Sequence, residues 1–181
     1  MKRLAVLLAF VGFAFAGRAD ACGVERWAVK TLTDVSAKQV NFRPSAATVA
    51  ELVSLPAPKT LGERSYGELR TVRIRVALLA FKLEADGDIH LAVADPANPA
   101  TTMIVEFPLL SCTRGAQHRW AMEVAKRKLV AAEGVPSGRY QTLTGTATIT
   151  GVVFFDFLHG QRGVAPNGVE LHPALGFRMG P

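Results

Sequence analysis

Residues 70–94 read RTVRIRVALLAFKLEADGDIHLAVA, and the fold is decided there. Val72, Ile74, Val76, Leu78 and Ala80 alternate with Arg73, Arg75, Ala77, Leu79 and Phe81, the period-two pattern of a strand. Its second face is charged at the start and apolar at the end. Such a strand passes from half-buried to buried on both faces, which suits a tightly curved barrel. Asp86-Gly87 then supplies a hairpin turn. Beyond it, Ile89, Leu91 and Val93 are expected to face inward and Asp88 and His90 outward.

Downstream, Asp95-Pro96-Ala97-Asn98-Pro99 makes a second turn and 101–107 a third strand. After Cys112 the period lengthens, and 116–133 reads as an amphipathic helix. Trp120, Ala121, Met122, Val124, Ala125, Leu129, Ala131 and Ala132 fill one arc; Arg119, Glu123, Lys126 and Arg127 fill the other. Gly134, Pro136 and Gly138 end it. Two strands complete the list, at 146–157 and, after an Asn167-Gly168 turn, at 169–172. The order strand, strand, strand, helix, strand, strand predicts a mainly β protein: an OB-fold-like five-stranded β-barrel with one main helix. Another small antiparallel barrel, or an α+β sheet covered by the helix, is the alternative. The barrel takes 68–181. An N-terminal extension at 22–67 holds a strand at 25–31, a short helix at 48–55 capped by Ser45, and a loop at 54–67 rich in proline and glycine. Together 22–181 read as one domain.

Residues 1–21 read as a cleavable signal peptide. Lys2 and Arg3 precede an apolar run at 4–16, and Ala19-Asp20-Ala21 offers a cleavage site, with a second small-residue site ending at Ala16. The run is short of the roughly 20 apolar residues a membrane span needs. Export predicts a secreted or periplasmic protein with no transmembrane segment after cleavage. In that oxidising setting the two cysteines, Cys22 and Cys112, are expected to form a disulfide; lipidation of Cys22 is the competing use. Removing 1–21 takes away three positive charges and one negative, so +6 becomes +4. That balance, with Lys126-Arg127-Lys128 on a solvated helix face, is no strong nucleic-acid signature.

Three of the four histidines stand beside carboxylates: Asp88-x-His90, Glu170-x-His172, and Asp156 with His159. In the first two pairs the spacing sets both side chains on one strand face. An imidazole beside a carboxylate serves as a divalent-metal ligand set or as an acid/base couple near neutrality. In an OB barrel the first hairpin turn and the loop between the last two strands lie on the ligand side. Here these are 85–88 and 158–168. Asp88, His90, Asp156, His159, Asn167, Glu170 and His172 are therefore expected at one rim, with Phe154, Phe155 or Phe157 as its apolar surface. A divalent metal, the one cofactor this pattern accommodates, would fall to His90, His172 and Asp88. The same residue types also populate ordinary polar turns, and His118 reads as a solvent-facing or packed residue.

No G-x-S-x-G elbow, phosphate loop, H-E-x-x-H helix or Cys/His finger occurs, so catalytic residues stay unassigned. Three functions are left. The first is a binding module whose ligand sits at the rim. The second is a metal-dependent hydrolase of a phosphodiester or other ester, with Glu170 as general base. The third is an oligonucleotide binder using Arg73 and Arg75. The stretches DGDIH (86–90), FFDF-x-HGQ (154–161) and APNGVELHP (165–173) in combination resemble a group of secreted bacterial proteins with no assigned activity. That resemblance runs over most of the chain from about Glu25; it implies export and carries no catalytic residues over. The chain does not resemble thermonucleases at their motifs.

Overall fold

The alternation that starts at Val72 produces a 14-residue strand in the computed structural model, which describes residues 22, 23 and 25–180; the export segment read at 1–21 lies outside them. In chain order the elements are α1 (Trp27–Lys30), β1 (Asn41–Ala46), α2 (Val49–Val53), β2 (Arg70–Leu83), β3 (Ile89–Ala94), β4 (Thr102–Phe107), α3 (Arg119–Glu133), β5 (Gln141–Thr142), β6 (Thr146–Phe155) and β7 (Val169–Met179). Turns of 3-10 helix lie at Val35–Gln39, Tyr66–Glu68 and Leu110–Cys112.

β2 is long enough to close a barrel by itself. Thr71 to Ala77 pair with β6, and Ala77 to Leu83 pair with β3, with a register shift between Leu78 and Ala80 that bends the strand. The strands run β2, β3, β4, β7, β6 and back to β2, a closed five-stranded barrel with α3 between its third and fourth strands. All neighbours are antiparallel except β4 and β7, which are parallel. The protein is thus mainly β with one main helix, as the element order predicts. Inward positions such as Ile74, Leu91, Val105, Phe107, Ile149 and Leu171 form one core, which Val49 and Leu52 of α2 and Ala125 and Leu129 of α3 extend. Each fully buried side chain of this kind contributes about 1.5 to 3 kcal/mol.

Several local expectations are corrected. Residues 27–30 form a helical turn rather than a strand; the Thr31 hydroxyl donates to the Trp27 carbonyl, and Arg26 and Lys30, four apart, both reach over the Phe154 ring. The cap of α2 is Thr48 and not Ser45, because Glu51 three residues on completes a capping box with it. In α3 only Met122, Ala125 and Leu129 are buried, a narrower stripe than the arc read from the sequence, and Trp120 is exposed. Lys126 is not on a solvated face: its ammonium donates to the carbonyls of Gly87, Phe107 and Pro108, tying α3 to the strand ends. β7 continues to Met179 through Pro173, whose missing N–H falls where the pairing with β6 is irregular around Gly151. His118 is exposed and packs its ring 3.9 Å from that of Phe42.

Cys22 and Cys112 are joined in a disulfide, and no helix among the described residues is long and apolar enough to cross a membrane. The extension is held a second way. Arg26 places its guanidinium 2.8 and 2.9 Å from the two oxygens of Glu68, which also accept from the backbone N–H groups of Ser65 and Phe155; both side chains of the pair are almost fully buried.

Candidate functional site

Strand alternation sends Ile89, Leu91, Val105, Phe107, Val169 and Leu171 into the barrel, so His90, Glu106, Glu170 and His172 project from its outer face. The sequence pattern predicts His90, Glu170 and His172 at one rim, with Asp88 and His90 facing outward. That face is buried instead: His90 and His172 are each 1% exposed, Asp88 2% and Glu170 3%. The cover is the 157–168 loop, folded back across β3. Gly163 adopts φ +88° and lies so close to the strand that a Cβ there would stand 2.7 Å from the Cβ of Ala92. Tyr140 closes a side, its ring edge-on to His90 with centroids 5.6 Å apart.

The result is a cleft of about 310 Å³ lined by residues from β2, β3, β4, β7, α1 and the loops between them. Six of the seven ligand candidates line it: Asp88, His90, Asp156, His159, Glu170 and His172. The seventh, Asn167, does not. Its amide donates to the carbonyls of Leu52 and Leu55 and its oxygen accepts from Val169, so it fastens the turn to α2. Phe155 and Phe157 line a separate shallow apolar groove with Asn167. Phe154 is fully buried, its ring edge-on to His172. The aromatic surface expected at the rim is therefore elsewhere. Each of the three quoted motifs contributes to the cleft. Sequence reasoning missed Glu106, Lys82, Glu84, Lys30 and Glu25.

The partnerships differ from those implied by spacing. Register sets Lys82, His90 and Glu106 in one cross-strand row. His90 Nδ1 lies 2.9 Å from Glu106 Oε1 and 3.4 Å from Glu84 Oε1, while Nε2 donates to the Arg162 carbonyl at 2.9 Å. Burial opposes a charge on this ring, but Glu106 with Arg162 and Glu84 outweighs burial and holds the His90 pKa above its ordinary value. Each ring nitrogen faces an oxygen acceptor, a carboxylate at Nδ1 and a carbonyl at Nε2. Asp88 neighbours His172 rather than His90, with Nε2 and Oδ2 3.4 Å apart; its other oxygen accepts from the Leu109 N–H at 2.7 Å. Asp156 accepts from Lys30 at 2.7 Å and from the Phe157 N–H, and His159 Nε2 stands 3.0 Å from Glu25 at the mouth.

The trio expected to hold a metal is not assembled: His90 is committed at both nitrogens. Among the described residues, the group whose ligand atoms lie within 4.8 Å of one another is Glu25, Asp156 and His159.

Burial, then the charges of Glu106 and Asp156, push the Glu170 carboxyl well above the usual range, with Lys30 offsetting part. A carboxyl whose folded pKa is raised supports the fold below the unfolded value near 4.5 and ceases to do so as pH rises through the folded value. Glu170→Gln is therefore expected to gain on the wild type as pH rises from 4 to 8, by on the order of 1 to 3 kcal/mol. Urea midpoints across that range check it; parallel pH curves for the two proteins contradict it.

No family model, curated protein or solved structure matches the chain.

Proposed function

We propose that this protein is a secreted or periplasmic binding module whose ligand sits in the cleft on the outer face of β3, β4 and β7. The observation that carries the reading is convergence: carboxylates and imidazoles from β3, β4, β7, the loops after β2 and β6 and the segment before α1, with the ammonium groups of Lys82 and Lys30, meet in one cleft. Polar groups gathered at that cost in desolvation mark a site rather than a turn. The barrel order supports an OB assignment. In that fold, ligands lie on the face of the second and third strands between the first hairpin turn and the loop joining the last two strands; here those are β3, β4, 84–88 and 156–168. The disulfide and the resemblance to an exported group support the compartment. The metal-dependent alternative asks His90 and His172 to share an ion, and His90 has no free nitrogen for it. An oligonucleotide would be repelled by the cleft's carboxylates, and Arg73 and Arg75 project from β2 outside it.

A thermal-shift screen of charged and neutral small molecules tests the reading, run on the wild type beside His172→Ala. A ligand at about a hundred times its Kd adds roughly 2.7 kcal/mol, or about 5 to 10 °C for a chain of this size. The shift is expected in the wild type and absent in the variant. Equal shifts in both proteins, or none from any compound, overturn the reading.

A further inference from the structure

The cleft is short of positive charge. Seven carboxylates line it (Glu25, Glu84, Asp86, Asp88, Glu106, Asp156 and Glu170) against two lysines and three histidines. Lys30 is taken by Asp156 and Lys82 by Glu84. His90 is taken by Glu106 and His159 by Glu25. Asp88 has only His172, 3.4 Å away, and Asp86 and Glu170 are left without a basic partner, in a protein that is basic as a whole.

Acidic clustering alone would not define a ligand, but the hydrogen bonding does. Among the buried atoms on the cleft wall, Glu106 Oε2, Gln161 Oε1 and both nitrogens of His172 have no hydrogen-bond partner, Nε2 standing 3.4 Å from Asp88 Oδ2. His172 is 1% exposed and Glu106 8%. Native proteins seldom leave such groups unmatched. Glu106 Oε2 and Gln161 Oε1 are acceptors. They belong to β4 and to the covering loop, so their complement is a molecule that presents more than one N–H donor.

A metal ion fits less well. At the floor only His172 and Asp88 approach each other, whereas zinc takes three or four protein ligands. At the mouth, Glu25, Asp156 and His159 come close enough, but an ion there would face the Lys30 ammonium already bound to Asp156. The volume is also that of a molecule: at about 30 Å³ per water, 310 Å³ holds on the order of ten water-sized groups.

Resting on the binding-module reading, we infer that the ligand is a small organic cation, an amine or guanidine with several N–H donors, held by Glu106, Glu170, Asp88 and Gln161. Its charge replaces the missing basic partners, and its N–H groups meet the unmatched acceptors. His172 lines the cleft beside Asp88.

Isothermal titration of the disulfide-bonded protein with agmatine and with spermidine tests this, beside zinc, manganese and calcium and beside citrate and glucose. Saturable 1:1 binding of agmatine or spermidine is expected. It should weaken at least tenfold in Glu106→Gln and in Glu170→Gln, the latter being a variant expected to fold at least as stably as the wild type at neutral pH. Stoichiometric zinc, citrate or glucose binding that His172→Ala abolishes, with no binding of either amine, overturns the inference while the binding module stands. Amine binding unchanged in both glutamine variants overturns it as well. Binding of none of these probes overturns the inference, and silence across the broader thermal-shift screen then removes the binding module too.

Discussion

Replacing Cys22 and Cys112 together by serine is expected to lower the unfolding free energy by about 4 to 5 kcal/mol. The bond joins residues 90 apart in sequence, and the entropy an unfolded chain regains when a loop of that size is opened has this magnitude. Urea unfolding of the double variant, and of the wild type with and without reductant, measures it. A loss below about 1 kcal/mol would mean that the reduced chain stays organised by other contacts. The cleft registers the change as well, since the bond anchors the segment that brings Glu25 and Lys30 to its mouth.

Those other contacts centre on Glu68, and Glu68→Ala is expected to cost about 3 to 5 kcal/mol, because it strands the buried Arg26 guanidinium together with the N–H groups of Ser65 and Phe155. Burial by itself would raise the Glu68 pKa; the bonds from Arg26, Ser65 and Phe155 and the Arg26 charge hold it below the ordinary value. Its contribution is therefore present above pH 4.5 and fades as pH falls through the folded value, opposite in sense to Glu170. Replacing Arg26 by Met and Glu68 by Leu together should recover part of the loss, since the fully desolvated pair is costly only when one partner remains. Denaturant midpoints of the two single variants and the double variant decide this. Equal losses for Glu68→Ala and the double variant would show that the stranded charge is not the source.

The barrel was legible because its signals are local. Alternation in 72–81, the Asp86-Gly87 turn, the helix period after Cys112 and the Asn167-Gly168 turn each act over a few residues. Six site residues were legible for the same reason: histidine and carboxylate two or three apart announce themselves. Glu106 did not, because a lone glutamate at an outward strand position looks like ordinary solvent-facing polarity. Lys30 was hidden by the strand reading of 25–31. What makes these residues a site is the 157–168 loop lying back on β3, a contact between segments some 70 residues apart, and no window of sequence contains it. One trace of it was present. Ala92, Ala94 and Ile104 occupy outward positions on the same face as His90 and Glu106, and so apolar an outer face predicts a cover.

β4 and β7 meet through only two residue pairs, Ile104 with Glu170 and Val105 with Leu171, whereas every other junction of the barrel holds six or more. A cylinder of staves splits where its staves are least joined, and local opening begins at the least-bonded seam. His90 and Glu106 stand on one bank of that seam, Glu170 and His172 on the other. A ligand held by Glu106 and Glu170, as inferred above, is therefore a clasp across the weakest joint of the cylinder, and the joint is expected to exchange its amide protons more slowly when that ligand is bound.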